Sequence, residues 1–257
     1  MSNDEFFAWL RSQQSDGRLT QDMVDGANEL LDCVTPEMAQ AALSKINGWQ
    51  VVENEVLMSP IANPPRITKS DIIAAAERIN VEPAMIKAIS DIESRGGFNS
   101  DNTPKILFER HKFWQGLTAI KWFTMRNQIT KSFPDVCSQS TGAYNARPQY
   151  EKLKIAATLN WEVAHESASW GAFQIMGYHW QALGYTSITE FVMMMYVSEV
   201  NHLDALCRFL KLNNLDRALR NKDWAAFAKG YNGVAYKKNQ YDTKLANAYN
   251  KAKREGW

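Results

Sequence analysis

The chain has little from which a metal or redox centre could be built. Its three cysteines, Cys33, Cys137 and Cys207, are widely spaced and fall in no paired motif, which argues against a disulfide framework and fits a reducing compartment. Only four histidines occur, His111, His165, His179 and His202, and no HExxH or CxxC pattern is present. No metal and no other cofactor is expected. No segment approaches the roughly 18 consecutive apolar residues of a membrane span, and the N-terminus has no basic stretch leading into an apolar one. A cytoplasmic location is therefore expected, with any target outside the cytoplasm reached by a route that something else provides.

What is present is ordinary for a globular protein. The chain has 257 residues, of which 45% are apolar and 22% charged, enough for one core of about 150 to 200 residues and a small accessory unit. Nine tryptophans exceed average usage. Their flat apolar faces suit sugar rings, although most tryptophans in any chain are core. The net charge of +1 conceals an asymmetry, because residues 1–60 carry three basic and ten acidic side chains, a charge of −7, and the remainder carries +8. The basic excess is densest from Arg208 to Arg254. Such a surface suits nucleic acid, an anionic lipid face or a wall bearing peptide carboxylates; solvated helix faces with no partner are the plainer alternative.

One stretch organises the rest, from Met85 to Phe98. Pro83 suits a first helical turn, and Met85, Ala88, Ile89 and Ile92 recur at three and four, the buried stripe of an amphipathic helix. Glu93 follows Ile89 by four residues and so lies along the margin of that stripe. Gly96 or Gly97 supplies a left-handed stop. A carboxylate at a helix C-terminus meets the negative end of the macrodipole, and partial burial among isoleucines also disfavours its charge. An acid that keeps its proton near neutral pH is what general acid catalysis of glycoside cleavage requires. The plainer reading is an exposed acid at a fraying helix end.

The N-terminal 58 residues read as a helical accessory segment. A short helix starts around Phe6, Phe7, Trp9 and Leu10. A second is capped by Thr20 and runs to Asp32, and a third opens at Thr35-Pro36-Glu37 and closes near Asn47-Gly48. Residues 59–67, with Pro60, Pro64 and Pro65, read as a linker, and 68–257 as the main domain. Thr68 and Asp71 predict a capping box in which Asp replaces the usual Glu. Residues 105–111, Lys-Ile-Leu-Phe-Glu-Arg-His, are the best strand candidate, and alternation places Leu107, Glu109 and His111 on one face. A helix-end acid followed by a strand-borne acid can set two carboxylates across one cleft; an ion pair of Glu109 with Arg110 or a nearby basic residue is the alternative. The signal from Phe113 to Ala146 is weak and suggests a short helix or flap around Trp114, Trp122 and Phe123. The run from Ser167 to Gly177 is rich in small residues and allows close backbone approach. Gln174, polar among Phe173, Ile175 and Met176, needs partners, whether a backbone carbonyl or a sugar group. Ser187 caps one long helix through Leu210, and Asp223-Trp224 starts another that stops at Tyr231-Asn232-Gly233.

Ile92-Glu93-Ser94, Ile106 to His111, Ser167 to Gly177 and Phe227 to Gly233 together resemble the phage endolysin N-acetylmuramidase family over roughly residues 70–255. The Glu-Ser, Gly-x-x-Gln-Ile-Met and Tyr-Asn-Gly pieces are also similar to goose-type lysozymes and soluble lytic transglycosylases. The resemblance implies a mainly α, lysozyme-like domain with a small β element at the cleft, preceded by the helical N-terminal segment. It implies that Glu93 is the catalytic acid, that Glu109 also lies in the site, and that Gln174, Tyr231 and Asn232 line the glycan groove, with Ser169 and Trp170 as further candidates. The implied partner is the peptidoglycan glycan strand, cut at its MurNAc–GlcNAc β-1,4 bond without a cofactor. A monomer is expected, with no nucleic acid partner; the basic C-terminal helix is a candidate for an anionic envelope surface. The protein would wait in the host cytoplasm and reach the periplasmic wall through a phage-encoded pore. Residues 1–58 depart from the family, since they lack a recognisable peptidoglycan-binding repeat and are acidic. A transglycosylase leaving anhydro ends and a non-catalytic wall binder are the alternatives.

Overall fold

The computed structural model describes residues 1–12, 18–19, 21, 24, 27–28, 31, 60–94 and 96–257. The chain forms two units, one of residues 1–57 and 107–168 and one of residues 58–106 and 169–257. It is mainly helical, with a small sheet of three strands, β1 (Ile106–Phe108), β2 (Ala168–Trp170) and β3 (Ile175–Met176), in that order. No described helix is long and apolar enough to cross a membrane.

In the first unit, α1 (Asn3–Ser12) is the expected N-terminal helix, with Asp4 and Glu5 at its positive end and Phe6 and Leu10 buried. Of the expected second helix, Gln21, Val24, Ala27, Asn28 and Leu31 are helical. The rest of that helix and the whole of the third lie outside the described residues. The unit continues through α4 (Arg110–Ala119), α5 (Phe123–Ser132), α6 (Gln149–Leu159) and α7 (Trp161–Glu166). Phe113, Leu117 and Ala156 are fully buried, and α4 packs so closely on α7 that a Cβ on Gly116 would stand 2.4 Å from Val163 Cγ1. The weak stretch after Phe113 is thus helical as far as Ser132, broken at Lys121, which adopts a φ of 64° between α4 and α5, and continues to Ala146 in turns and bends.

The expected strand over 105–111 is shorter than its pattern. Pairing ends at Phe108, and Glu109 becomes the residue that caps α4, with Arg110 and His111 in its first turn. A period of two cannot continue into a helix, so Glu109 is not strand-borne.

In the second unit, α2 (Lys69–Arg78) begins with the capping box as read, Thr68 and Asp71 exchanging both bonds. Pro83 opens α3 (Pro83–Glu93), and Met85, Ile86, Ala88 and Ile89 are its buried face. Helix α3 packs on α2 and on the last helix, α12 (Tyr241–Arg254). The long helix expected from Ser187 to Leu210 is instead two, α8 (Ile188–Val197) and α9 (Glu199–Leu212). Ser198 is extended between them, and its hydroxyl accepts the Asn201 N–H. A serine side chain that competes for backbone donors ends one helix and caps the next. Helices α10 (Leu215–Arg220) and α11 (Trp224–Asn232) follow, α11 capped by Asp223 as read.

Candidate active site

Glu93 is the last residue of α3. The chain leaves the helix at Ser94 in an extended conformation (φ −99°, ψ 123°), and the left-handed residue comes two positions later at Gly96, φ 81°. The last turn of α3 holds no basic residue to offset the negative helix end. The Asn232 side-chain amide donates to Glu93 Oε1 at 3.3 Å. Burial pushes the Glu93 pKa above its ordinary value of 4.5, against the opposing pull of the Asn232 bond and the Lys244 charge.

Asn232 is held by helix geometry. It ends α11, and Gly233 follows at φ 78°, ψ −177°, a conformation open to glycine and strained for other residues. With its amide nitrogen turned to Glu93, Asn232 Oδ1 is a buried acceptor without a hydrogen-bond partner among the described residues. One helical position earlier, Tyr231 donates its hydroxyl to the Phe173 carbonyl at 3.0 Å. Burial first, and then the charge of Glu93, hold the Tyr231 hydroxyl well above its usual pKa, so it remains a donor.

That bond ties α11 to the turn after β2. Ser169 and Trp170 of β2 pair with Met176 and Ile175 of β3, antiparallel. Gln174 between them adopts φ 52°. Its amide nitrogen donates to the Gly171 carbonyl at 2.8 Å, and its Oε1 accepts from the Ser169 hydroxyl at 2.8 Å. The open question about Gln174 partners is answered by these two, with Lys105 O a third at 3.3 Å. Trp170 is 1% exposed and Ser169 5%, so the indole faces are packed inside the unit and offer no open platform to a sugar.

Two residues not singled out as candidates in the sequence hold this region together. Glu199, at the start of α9, accepts the Gly97 N–H at 2.7 Å, the Ile67 N–H at 3.2 Å and the Arg66 guanidinium at 2.9 Å. Burial disfavours its charge, but these donors outweigh that and keep its carboxyl below the usual range. His202, one turn on, is buried and kept neutral, its pKa lowered by burial. Its Nδ1 accepts from the Ala172 N–H at 3.1 Å and its Nε2 bonds the Met195 carbonyl at 2.7 Å. A Cβ on Gly97 would stand 2.3 Å from this ring, and one on Gly171 2.7 Å. Both glycines are therefore required where they are, and they fix the chain after Glu93 and the turn before Gln174. The available signal was Ser198-Glu199, a cap followed by an acid inside an apolar helix pattern.

Glu109 belongs to the first unit. The Tyr144 hydroxyl donates to it at 3.3 Å, and His111 Nδ1 lies 3.2 Å from Oε2. Arg110 is not its partner, because that guanidinium donates to the Pro134 and Thr141 carbonyls. Tyr144 is placed in turn by Lys152, 1% exposed, whose ammonium donates to the Ala143 and Tyr144 carbonyls at 2.6 and 3.1 Å. Neither Tyr144 nor Lys152 carries a sequence signal, since both lie in or beside the weakly patterned stretch. Among the described residues no cluster of His, Cys, Asp and Glu is arranged to hold a metal ion.

A mainly helical chain with a small sheet, presenting a protonation-prone Glu at a helix end beside a Tyr-Asn pair, has the make-up of a lysozyme-like glycan hydrolase. The sequence pattern of the muramidase family, N-acetylmuramidase, matches residues 82–253. Among solved structures the chain is similar to the crystal structure of Burkholderia AP3 phage endolysin, at 31% identity and a TM-score of 0.70 over 91% of this chain and 96% of that one. No curated protein sequence matches. The chain belongs to the N-acetylmuramidase family of peptidoglycan hydrolases.

Proposed function

We propose that the protein is an endolysin that hydrolyses the MurNAc–GlcNAc β-1,4 bond of peptidoglycan and so lyses the host at the end of phage infection. Glu93 donates its proton to the bridging oxygen as positive charge develops on the sugar ring. The observation that carries this is the half-buried carboxyl at the C-terminal end of α3, its pKa raised by burial and its orientation held by the Asn232 amide. Asn232 Oδ1, a buried acceptor without a partner among the described residues, suits a sugar N–H or O–H. Gln174 and Tyr231 shape the same region by bonding backbone carbonyls, and Ser169 orients Gln174. Glu109 is the second carboxylate of the reaction, activating water or steadying the developing charge; its place at the positive end of α4 suits an anion.

Residues 68–257 are the catalytic part in this reading and 1–58 an accessory segment. The protein acts as a monomer on the periplasmic wall after release from the host cytoplasm. Mass analysis of the soluble fragments from digested walls tests the reaction. Hydrolysis leaves reducing MurNAc ends, each with one added water. Anhydro-muramic ends would make the enzyme a lytic transglycosylase, and wall binding with no soluble fragments would make it a non-catalytic binder.

A further inference from the structure

A groove runs along the contact of α3 and α12 in the second unit. Lys87, Asp91 and Ile92 of α3 line it from one side, and Lys244, Lys251 and Arg254 of α12 from the other. Lys87 is paired with Asp91, and Lys251 only loosely with Glu255, at 3.8 Å on exposed side chains. Lys244 and Arg254 have no carboxylate within ion-pair distance among the described residues. Spacings of seven and three put the three α12 cations on one face of that helix. Four cations thus share one groove with a single acid, and each repels the others unless an anion joins them. Glu93 does not line the groove itself, but the Lys244 charge at its edge reaches the Glu93 carboxyl.

We propose that this groove receives the carboxylates of the stem peptide that hangs from the muramic acid beside the bond being cut. The inference rests on the muramidase reading and deepens it, from the glycan bond to the peptide-bearing wall as substrate. The dimensions agree. Lys244 to Arg254 spans about 15 Å of helix, and a stem of four or five extended residues covers about 13 to 18 Å. A peptide that starts at the sugar held near Glu93 and runs along α12 meets Lys244 first, then Lys251 and Arg254. The groove gives charge complementarity without tight pairing, which suits a repeating substrate that must be released after each cut.

The test compares kcat/KM on purified peptidoglycan with kcat/KM on the same glycan stripped of its peptides by an N-acetylmuramoyl-L-alanine amidase, for the wild type and for Lys251→Gln with Arg254→Gln. Both positions are exposed on the last helix. The wild type should prefer the peptide-bearing glycan. That preference should fall about five-fold in the double variant, mostly through KM, and the difference should fade as salt rises. An unchanged preference overturns the proposal, as does an equal loss on both substrates. Loss confined to intact outer-membrane-bearing cells, with purified walls cut as before, also overturns it and assigns the groove to lipid phosphates. A wild type inactive on both glycans would sink the muramidase reading itself, which none of the other outcomes does.

Discussion

At the C-terminal end of α3, Glu93 meets the negative pole of its helix, is half-buried, and accepts one amide donor. At the N-terminal end of α4, Glu109 meets the positive pole of its helix, beside a tyrosine hydroxyl and an imidazole. One unit surrounds its acid with the means to keep a proton, and the other sets its acid at the positive end of a helix. Each arrangement is also anchored from within its own unit. Behind Glu93 stand Glu199 and His202, bonded to the backbone of residues 67, 97, 172 and 195, and behind Glu109 stands Lys152, bonded to the carbonyls of residues 143 and 144. The contrast teaches that a helix end is a neighbourhood with a sign, and that a pair of like residues can be given unlike work by the ends they occupy.

The largest expected effects separate the two acids. Glu93→Gln should keep the fold and cost roughly a thousand-fold in wall hydrolysis. Glu109→Gln should cost about a hundred-fold, within the same range for a single proton-transfer partner. The pH profiles carry the distinction better than the rates. In the proposed reaction Glu93 must be protonated to act, so its loss should remove the alkaline limb of the profile, whereas Glu109→Gln should leave that limb in place. If Glu109→Gln erased the alkaline limb, the two residues would have to exchange roles.

How much of this was legible beforehand depended on how local the physics is. The stripe of α3, its proline start and the acid at its end could all be read from a period of 3.6 and one residue type, and α3 runs from Pro83 to Glu93. So could the Thr68 and Asp223 caps, which depend on bonds three residues long. The breaks were not legible in the same way. Residues 105–111 alternate like a strand, yet the chain turns helical at Arg110, because the period says nothing of where pairing partners run out. Ser187 to Leu210 reads as one apolar helix until Ser198 offers its hydroxyl to Asn201. Glu199, His202, Tyr144 and Lys152 act through bonds made across 7 to 133 residues of chain, and no local spacing rule covers that range. The family resemblance named the residues around Glu93 but was silent on what holds them.

Smaller changes sharpen the comparison from each side. Asn232→Leu removes the amide that stabilises the charged form of Glu93 and leaves the burial in place, so the Glu93 pKa should rise further and the alkaline limb move to higher pH. A loss of about ten-fold in kcat/KM should accompany it, in line with one hydrogen bond to a charged group. An alkaline limb that stayed in place would show that the Asn232 amide does not feel the proton. On the other side, Lys152→Met leaves the Ala143 and Tyr144 carbonyls without their donor and should cost about 1 to 3 kcal/mol of stability, measurable by urea unfolding. Tyr144→Phe, which removes one longer hydrogen bond at 3.3 Å, should lower activity only a few-fold. If Tyr144→Phe were as damaging as Glu109→Gln, the hydroxyl would itself be part of the chemistry.

The smallest expected effect is on stability, and its sign follows from the raised Glu93 pKa. In the unfolded chain this carboxyl loses its proton near 4.5, and in the folded chain at a higher pH. Between those two values the folded state holds more of the proton, so stability falls as pH rises, and the full cost is present once pH exceeds the folded value. Gln at position 93 has no proton to lose but can still accept the Asn232 amide. The stabilisation of Glu93→Gln over the wild type should therefore be least at pH 4, grow as pH climbs through the folded pKa, and level off above it. Thermal melts of the two proteins at matched pH values measure this directly. A gain independent of pH would mean that Glu93 titrates alike in the folded and unfolded chains, and burial at the end of α3 would then not be what keeps its proton in place.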